Sequence, residues 1–356
     1  MYCNAIIPSM VSCLLCEIHI TSIPLFIALI SIKYHIMQHF QDLEATKGVL
    51  SVIQQLYLDN IDKPESSSRG YHIDLGTLES ISMASARRDV DLSLMVWDLA
   101  EHFGYSPTVT MFEDVIMSFA ATKQDKNLFS ALVDMEKNGH MPSAILMRYI
   151  ALKVSYSQQR MDHSHNLLNW RGNEHLRSTS AMNVMLIGYG MMRDLNNAFF
   201  VFEELPRLGL QPDINTFSFL MEALYIDGKD RFPYKPGQPS NYNTQDIDDV
   251  VGAAQIILDA MEEAGIQKTK QFFYEHIRLL YTLGLLEDSK LVLEEAISAG
   301  IHLPMASVFM LSTRFAESGD FDNARVVANL SVAAGCGDFQ DLTKRISNME
   351  TDYKID

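Results

Sequence analysis

The side chains best suited to chemistry form two small groups in the sequence. His163, His165 and His175 could offer imidazole ligands to a metal ion, and Cys13 and Cys16 form a Cys-x-x-Cys pair. However, His-x-His on one helix points its two rings to different faces, and a structural zinc site needs further ligands that this pair lacks. We therefore predict no metal site and no cofactor.

Short motifs of enzymes and nucleotide-binding proteins are absent from the sequence. We find no P-loop, no dinucleotide-binding glycine motif and no nucleophile elbow. Carboxylates such as Asp98 and Glu101 show no pairing suited to acid/base catalysis. Trp97, Trp170 and the methionines are interpreted as core residues. The prediction is a protein that is not an enzyme and has no small-molecule substrate.

The clearest element that could position functional side chains is a helical hairpin over residues 179–213. Its second helix carries apolar residues at the 3.6-residue spacing of an amphipathic helix, namely Ala198, Phe199, Val201, Phe202 and Leu205. Gly209 and then Pro212 give the usual order of helix stop signals. A single hairpin cannot bury both of its apolar faces, so the pattern predicts neighbours of the same kind.

Similar hairpins recur with a period of 35 residues. The glycines that close them are Gly104, Gly139, Gly209, Gly265, Gly300 and Gly335. Small residues recur in the same frame, where the second helix must approach the first, at Ser93, Ala198, Ala254, Ser289 and Ala324. This ladder predicts an all-α fold, a right-handed α-α superhelix of about seven helical hairpins in which each hairpin contacts mainly its neighbours.

The spacing of these recurring residues also sets the boundaries of the predicted hairpins. The hairpins are placed at 74–108, 109–143, 144–178, 179–213, 214–269, 270–304 and 305–339. The fifth contains a 21-residue insert, 228–248, which we predict to be a proline-punctuated loop between its two helices. The Pro-x-x-Pro spacing of this insert would fit an aromatic groove, but we interpret it as a solvated surface segment. Residues 340–356 are predicted to form a last helix that caps the array.

Two segments precede the array. Residues 1–34 are apolar, but the run 18–32 is shorter than the about 18–20 residues of a membrane span and includes Pro24. The segment lacks the basic start of a signal peptide and the arginines of a transit peptide. Our hypothesis is that it is not part of the mature protein, and we expect no membrane association. Residues 35–73 are predicted to be a helix and a polar linker.

The net charge of −17 disfavours broad attraction to nucleic acid. Screening over about 8 Å still lets a local basic patch act independently of the total charge. Residues 123–177 contain 8 Lys or Arg against 5 Asp or Glu, whereas residues 246–356 contain 9 against 19. Four cysteines do not make a disulfide framework, which favours a reducing compartment.

The period of 35, the closing residues Gly209 to Asp213 and the following Asn215-Thr216-Phe217 resemble the pentatricopeptide repeat family. Tetratricopeptide repeats have a period of about 34. The resemblance implies that each repeat recognises one RNA base through its fifth and last residues. The fourth repeat has the family-type pair Asn183 and Asp213, expected to favour uracil, and the fifth has the partial match Ser218 and Thr269.

The remaining repeats match this implied pattern poorly. Their fifth and last residues include Leu, Phe and Pro, which cannot hydrogen bond to a base edge through their side chains. The backbone of an RNA, if bound, is predicted to lie along 109–213, with Lys123, Lys126, Arg148 and Lys153 as candidate phosphate contacts.

Two functions follow from the resemblance and the charge. The first is a non-catalytic binding scaffold in mitochondrial gene expression, with a protein or ribonucleoprotein partner and minor RNA contact. The alternative is an RNA-binding factor for the processing, stability or translation of organelle transcripts. The mitochondrion is implied by the resemblance alone, and the plastid is the other organelle of the family.

Overall fold

The computed structural model describes residues 46–48, 50–51, 74–233, 243–333 and 340–353. Within these ranges all regular secondary structure is helical, so the predicted all-α class is confirmed. The helices are α1 (Leu75–Ser85), α2 (Val90–His102), α3 (Val109–Ala121), α4 (Asp125–Lys137), α5 (Ala144–Val154), α6 (Gln158–Asn169), α7 (Thr179–Met191), α8 (Leu195–Arg207), α9 (Ile214–Arg231), α10 (Thr244–Glu263), α11 (Lys270–Leu283), α12 (Leu286–Ser298), α13 (Met305–Glu317), α14 (Phe321–Ala333) and α15 (Gln340–Tyr353), with a short 3-10 helix at Glu174–Leu176.

Local signals explain where several of these helices begin and end. Ser178 begins α7 by accepting a hydrogen bond from the backbone N–H of Ala181, which satisfies a donor that has no partner inside the helix. After α8, Gly209 adopts the left-handed φ of +74°. The next backbone N–H, that of Leu210, then donates to the carbonyl of Leu205 over 2.9 Å. This is the glycine-dependent termination expected from the repeat ladder.

The chain divides into two compact units, and the boundary between them runs through α4. The N-terminal unit comprises Met1–Ala131 and Met135–Met141, and the C-terminal unit comprises Leu132–Asp134 and Pro142–Asp356. In the N-terminal unit, α1 packs against α2 and α3. Its core includes Leu50, Leu78, Ile81, Leu92, Val96, Leu99 and Met111.

In the C-terminal unit the first helices of consecutive hairpins pack side by side. Helix α7 contacts α5, α8 and α9, and α9 in turn contacts α11. Because α7 has neighbours on several sides, every residue from Ser180 to Gly190 is buried. The packing of α7 on α9 is close, since a Cβ placed on Gly190 would lie 2.6 Å from the Cβ of Ala223. The last hairpin packs against α15.

The prediction that the whole insert 228–248 forms a loop is wrong. Helix α9 continues to Arg231, and α10 begins at Thr244, so both flanks of the insert are helical. The physical reason is that the insert contains no proline before Pro233, so no residue of 228–231 lacks a backbone N–H for the helix. Asn243 caps α10 through the backbone N–H of Gln245. The stretch 234–242, with its remaining prolines, lies outside the described residues.

Several other predictions fall outside these ranges. They concern residues 1–34 with their Cys-x-x-Cys pair, and most of the helix and linker at 35–73. Among the helices that the structure describes, none is both long and apolar enough to cross a membrane.

Candidate nucleic-acid interface

The predicted base-recognition pair is brought together at the junction of two repeats. Asn183 lies in the middle of α7, and Asp213 is the residue that caps α9. The side-chain amide of Asn183 donates to Oδ1 of Asp213 over 2.9 Å. Oδ1 also accepts the backbone N–H of Thr216 over 2.8 Å. The hydroxyl of Thr216 donates to the amide oxygen of Asn183 over 2.7 Å and accepts the backbone N–H of Asp213 over 3.0 Å.

This arrangement leaves one atom of the pair suited to a ligand. Asn183 is 0% exposed, and its amide is held by two partners. Asp213 is half-buried, and among the described residues its Oδ2 accepts no hydrogen bond. A carboxylate oxygen accepts hydrogen bonds, so Oδ2 can pair with a donor such as the imino N–H of uracil. The buried amide therefore orients a carboxylate that can contact a base.

The second predicted pair is not joined in this way. Ser218 lies on α9 and is 2% exposed. Thr269 is exposed and caps α11 by accepting the backbone N–H of Phe272. No hydrogen bond links these two side chains in the described part of the chain. Their role in base recognition remains a prediction.

The last residue of a repeat also has a structural role, which the sequence analysis missed. Thr108, Ser143 and Ser178 each cap the next helix through a side-chain oxygen, as Asp213 and Thr269 do. The signal was present in the sequence, because Ser, Thr and Asp are the preferred capping residues. A hydroxyl at this place is therefore not by itself a sign of base recognition.

The four candidate phosphate contacts have different surroundings. Lys123 and Lys126 lie in the N-terminal unit, and both are exposed. Lys153 lies in the C-terminal unit, with its ammonium group 5.4 Å from the centre of the Tyr149 ring. Arg148 forms a bidentate ion pair with Glu222, in which Nη2 and Oε2 are 2.7 Å apart. The charge of Arg148 is thus already balanced by a carboxylate, which the sequence analysis did not foresee.

Arg148 belongs to a network of four charged side chains on α5, α9 and α11. Glu275 is 1% exposed and lies 2.8 Å from Nη1 of Arg278 and 4.0 Å from Nη2 of Arg148. The guanidinium of Arg278 stacks on the ring of Tyr225, 3.7 Å from its centre. Two arginines and two glutamates, the second being Glu222, neutralise one another here. This part of the first-helix surface offers little net charge to a phosphate backbone.

Burial strongly affects one carboxyl of this network. It raises the pKa of the Glu275 carboxyl to about 7, although Arg278 and Arg148 act to lower it. In the N-terminal unit, burial likewise raises the pKa of Asp114 to about 6. Near neutral pH the charge of Glu275 therefore depends on pH.

We expect the stability difference between the wild-type protein and Glu275→Gln to depend on pH. The unfolded carboxyl has a pKa near 4.5, whereas the folded one keeps its proton up to about 7. Protonation thus stabilises the folded wild-type chain below pH 4.5, and this stabilisation is lost as the pH rises through 7. At about 1.4 kcal/mol per pKa unit, the loss in the free energy of unfolding is on the order of 3 kcal/mol. Urea denaturation at several pH values measures it, and parallel curves for the two proteins would contradict it.

The histidines do not form a metal site in the described part of the chain. His165 is buried, with Nδ1 2.9 Å from the hydroxyl of Tyr189 and Nε2 2.9 Å from Oε2 of Glu204. Both ring nitrogens therefore have protein partners, while His163 and His175 are exposed. Across the described residues, no group of three or more His, Cys, Asp or Glu side chains could hold a metal ion.

A family model matches part of the repeat array. Residues 76–205 match the family model described as "Pentatricopeptide repeat-containing protein". No curated protein sequence matches the chain.

Among solved structures, the chain is similar to the pentatricopeptide repeat protein PPR10 in complex with an 18-nt psaJ RNA element, with a TM-score of 0.42 and 10% identity. That match covers 87% of this chain and 44% of the other. The structure of PPR10 from maize matches with a TM-score of 0.29 and 15% identity, covering 81% of this chain and 57% of the other. This chain thus spans about half the length of these proteins.

Proposed function

We propose that this chain, which resembles the pentatricopeptide repeat family over residues 76–205, binds single-stranded RNA as a non-catalytic factor of organelle gene expression. The observation that carries the proposal is the junction of α7 and α9, where Asn183 and Thr216 hold the carboxylate of Asp213 with Oδ2 open to a base. Repeats of that family read RNA at one base per repeat. The family is generally organellar, and we propose the mitochondrion as the compartment.

The proposed contact recognises one base rather than a long sequence. A well-formed base contact offers about 1–3 kcal/mol of discrimination in nucleic-acid recognition. Only one repeat junction has the Asn–Asp pair, and Arg148 is already paired with Glu222. We therefore expect a preference for uridine at one position and modest overall affinity.

We expect Asp213→Ala to lower the affinity for a uridine-containing oligonucleotide about tenfold, and to remove its preference over an adenosine-containing one. A single contact worth about 1.4 kcal/mol corresponds to a tenfold change. Fluorescence anisotropy with labelled 12-nucleotide RNAs at fixed salt measures both quantities, because salt alone changes such affinities.

Asp194→Ala is the matched control for this experiment. Asp194 has the same residue type and also caps a helix, since it accepts the backbone N–H of Asn197 at the start of α8. Loss of a cap costs about 1 kcal/mol of stability in either variant. Equal loss of RNA affinity in the two variants would show that Asp213 acts only as a cap, and would refute base recognition at this junction.

A second candidate function is a scaffold for a protein or ribonucleoprotein partner, with minor RNA contact. The neutralised network of Arg148, Glu222, Glu275 and Arg278 favours it, because these arginines are not available to phosphates. The excess of carboxylates in 246–356 also repels RNA and suits a basic protein surface. Purification of the native complex after nuclease treatment tests this candidate. A partner that stays bound supports it, and complete release refutes it.

A further inference from the structure

Exposed apolar side chains recur at one register position of the second helices in the C-terminal unit. Leu291 on α12 and Val326 on α14 follow Ile256 on α10 at intervals of 35 residues. Phe200 occupies the same position on α8, one period plus the 21-residue insert earlier. Their exposed fractions are 43% for Phe200, 58% for Ile256, 60% for Leu291 and 43% for Val326. We call these four residues the outer row.

The position of the outer row follows from helix geometry. Two places before each member lies a buried small residue, namely Ala198, Ala254, Ser289 and Ala324. Residues two places apart on an α-helix are rotated by about 200°, at 3.6 residues per turn. The outer row therefore faces away from the buried side of its helices. Single exposed apolar residues are ordinary, and the Phe200 ring lies 6.4 Å from that of His165. The same exposed position in the three hairpins that follow is not explained by packing among the described residues.

Carboxylates surround the outer row. Asp259 and Glu294 lie one helical turn after Ile256 and Leu291. Glu287 and Asp322 lie one turn before Leu291 and Val326, but they are ion-paired with Lys290 over 3.4 Å and with Arg325 over 3.3 Å. Helix α10 contains six acidic residues and no basic one. No described residue forms an ion pair with the side chains of Glu262, Glu263 or Glu294. The row is thus an apolar strip in a strongly negative surface.

Neighbouring helices of the row are linked at their ends. Asn323, near the start of α14, accepts a hydrogen bond from Nζ of Lys290 on α12 over 2.7 Å and donates another to Glu287. Lys268, which follows α10, forms an ion pair with Glu295 on α12 over 2.6 Å. These contacts join α12 to α14 and to the segment that follows α10, all within one compact unit.

We propose that the outer row binds a basic amphipathic helix of a partner protein. Seven residues of a crossing helix rise about 10.5 Å, which is of the order of the distance between neighbouring helices. Apolar side chains about one heptad apart can therefore contact successive members of the row. Lysines and arginines beside them would meet the surrounding carboxylates. RNA, anionic lipid and a second copy of this acidic chain all carry the wrong charge for this surface.

The inference deepens the second candidate function and is independent of RNA recognition at Asp213. The outer row lies on second helices, whereas Asn183 and the charged network lie on first helices. Binding of the partner helix and binding of RNA can therefore be tested separately, because different substitutions are expected to remove each of them.

The test uses the full chain and two synthetic peptides of 28 residues. Both peptides have leucine once per heptad on a helical frame, one with lysine and arginine beside each leucine and the other with glutamate at those places. We expect fluorescence anisotropy to show at least tenfold tighter binding of the basic peptide. The triple variant Ile256→Ser, Leu291→Ser, Val326→Ser should weaken that binding at least tenfold without changing RNA affinity.

Two controls separate apolar docking from simple charge attraction. Ile145→Ser removes an apolar side chain that is 78% exposed on α5 in the same compact unit, and it should leave peptide affinity unchanged. Glu262→Gln, Glu263→Gln and Glu294→Gln together should weaken binding of the basic peptide and reduce its salt dependence. Equal binding of the two peptides, or an unchanged affinity in the triple serine variant, overturns the proposal. Circular dichroism confirms that each variant is folded.

Discussion

Replacing Arg278 with methionine is expected to lower the free energy of unfolding by about 3–5 kcal/mol at pH 8, the range measured when one partner of a buried ion pair is removed. Nη1 of Arg278 lies 2.8 Å from Oε2 of Glu275, whose side chain is 2% exposed. Above its pKa of about 7 the Glu275 carboxylate is charged, and the variant leaves it buried with only Arg148 at 4.0 Å.

The expected loss depends on pH, which separates it from lost packing. At pH 5 the buried carboxyl of Glu275 holds a proton, because its pKa is about 7, so removal of its cationic partner costs less. The packing of the Arg278 guanidinium on the ring of Tyr225 is lost equally at pH 5 and at pH 8. Urea denaturation of the wild-type protein and the variant at pH 5 and pH 8 gives the comparison. The same loss at both pH values would contradict the ion-pair explanation.

Arg207→Met is the matched control for Arg278→Met. Arg207 pairs with Glu203 over 3.6 Å, but both side chains are more than half exposed, at 64% and 62%. Exposed pairs of this kind contribute about 0–1 kcal/mol. The control variant should therefore unfold at nearly the same urea concentration as the wild-type protein at either pH.

Gly190→Ala is expected to destabilise the chain by about 1–3 kcal/mol, the usual cost of overpacking a core. Alanine in place of glycine ordinarily favours a helix interior by about 1 kcal/mol. Here the added Cβ would lie 2.6 Å from the Cβ of Ala223 and 3.2 Å from its Cα. The second contact is with backbone, so α7 and α9 would have to move apart. Thermal and urea denaturation measure the change.

Gly252→Ala is expected to stabilise the chain, because Gly252 has no close neighbour. Gly252 lies inside α10, and a Cβ placed on it would meet nothing within 4 Å. The substitution should raise the free energy of unfolding by about 0.5–1 kcal/mol, because it reduces the freedom of the unfolded chain. If both glycine variants are stabilised, the close approach of α7 and α9 is refuted.

The helical hairpins could be predicted from sequence because their signals are local. Gly209 ends α8 through a backbone conformation that side chains disfavour, and Ser178 begins α7 by capping a nearby N–H group. Such signals act within a few residues and recur with the period of 35. The length of α9 was predicted wrongly, because polar residues after Gly228 permit helix or loop, and the helix ends only at Arg231, two residues before Pro233.

The sequence by itself determined the all-α class, the repeat period and the Asn183–Asp213 pair, because each depends on residue type and spacing. Only the tertiary structure decided what these side chains do. It places Arg148 against Glu222, 74 positions away, and buries Asn183 completely between neighbouring helices. It also leaves the outer row exposed. Burial and pairing of charges depend on which helices become neighbours in space, and no local pattern in the chain encodes those distances.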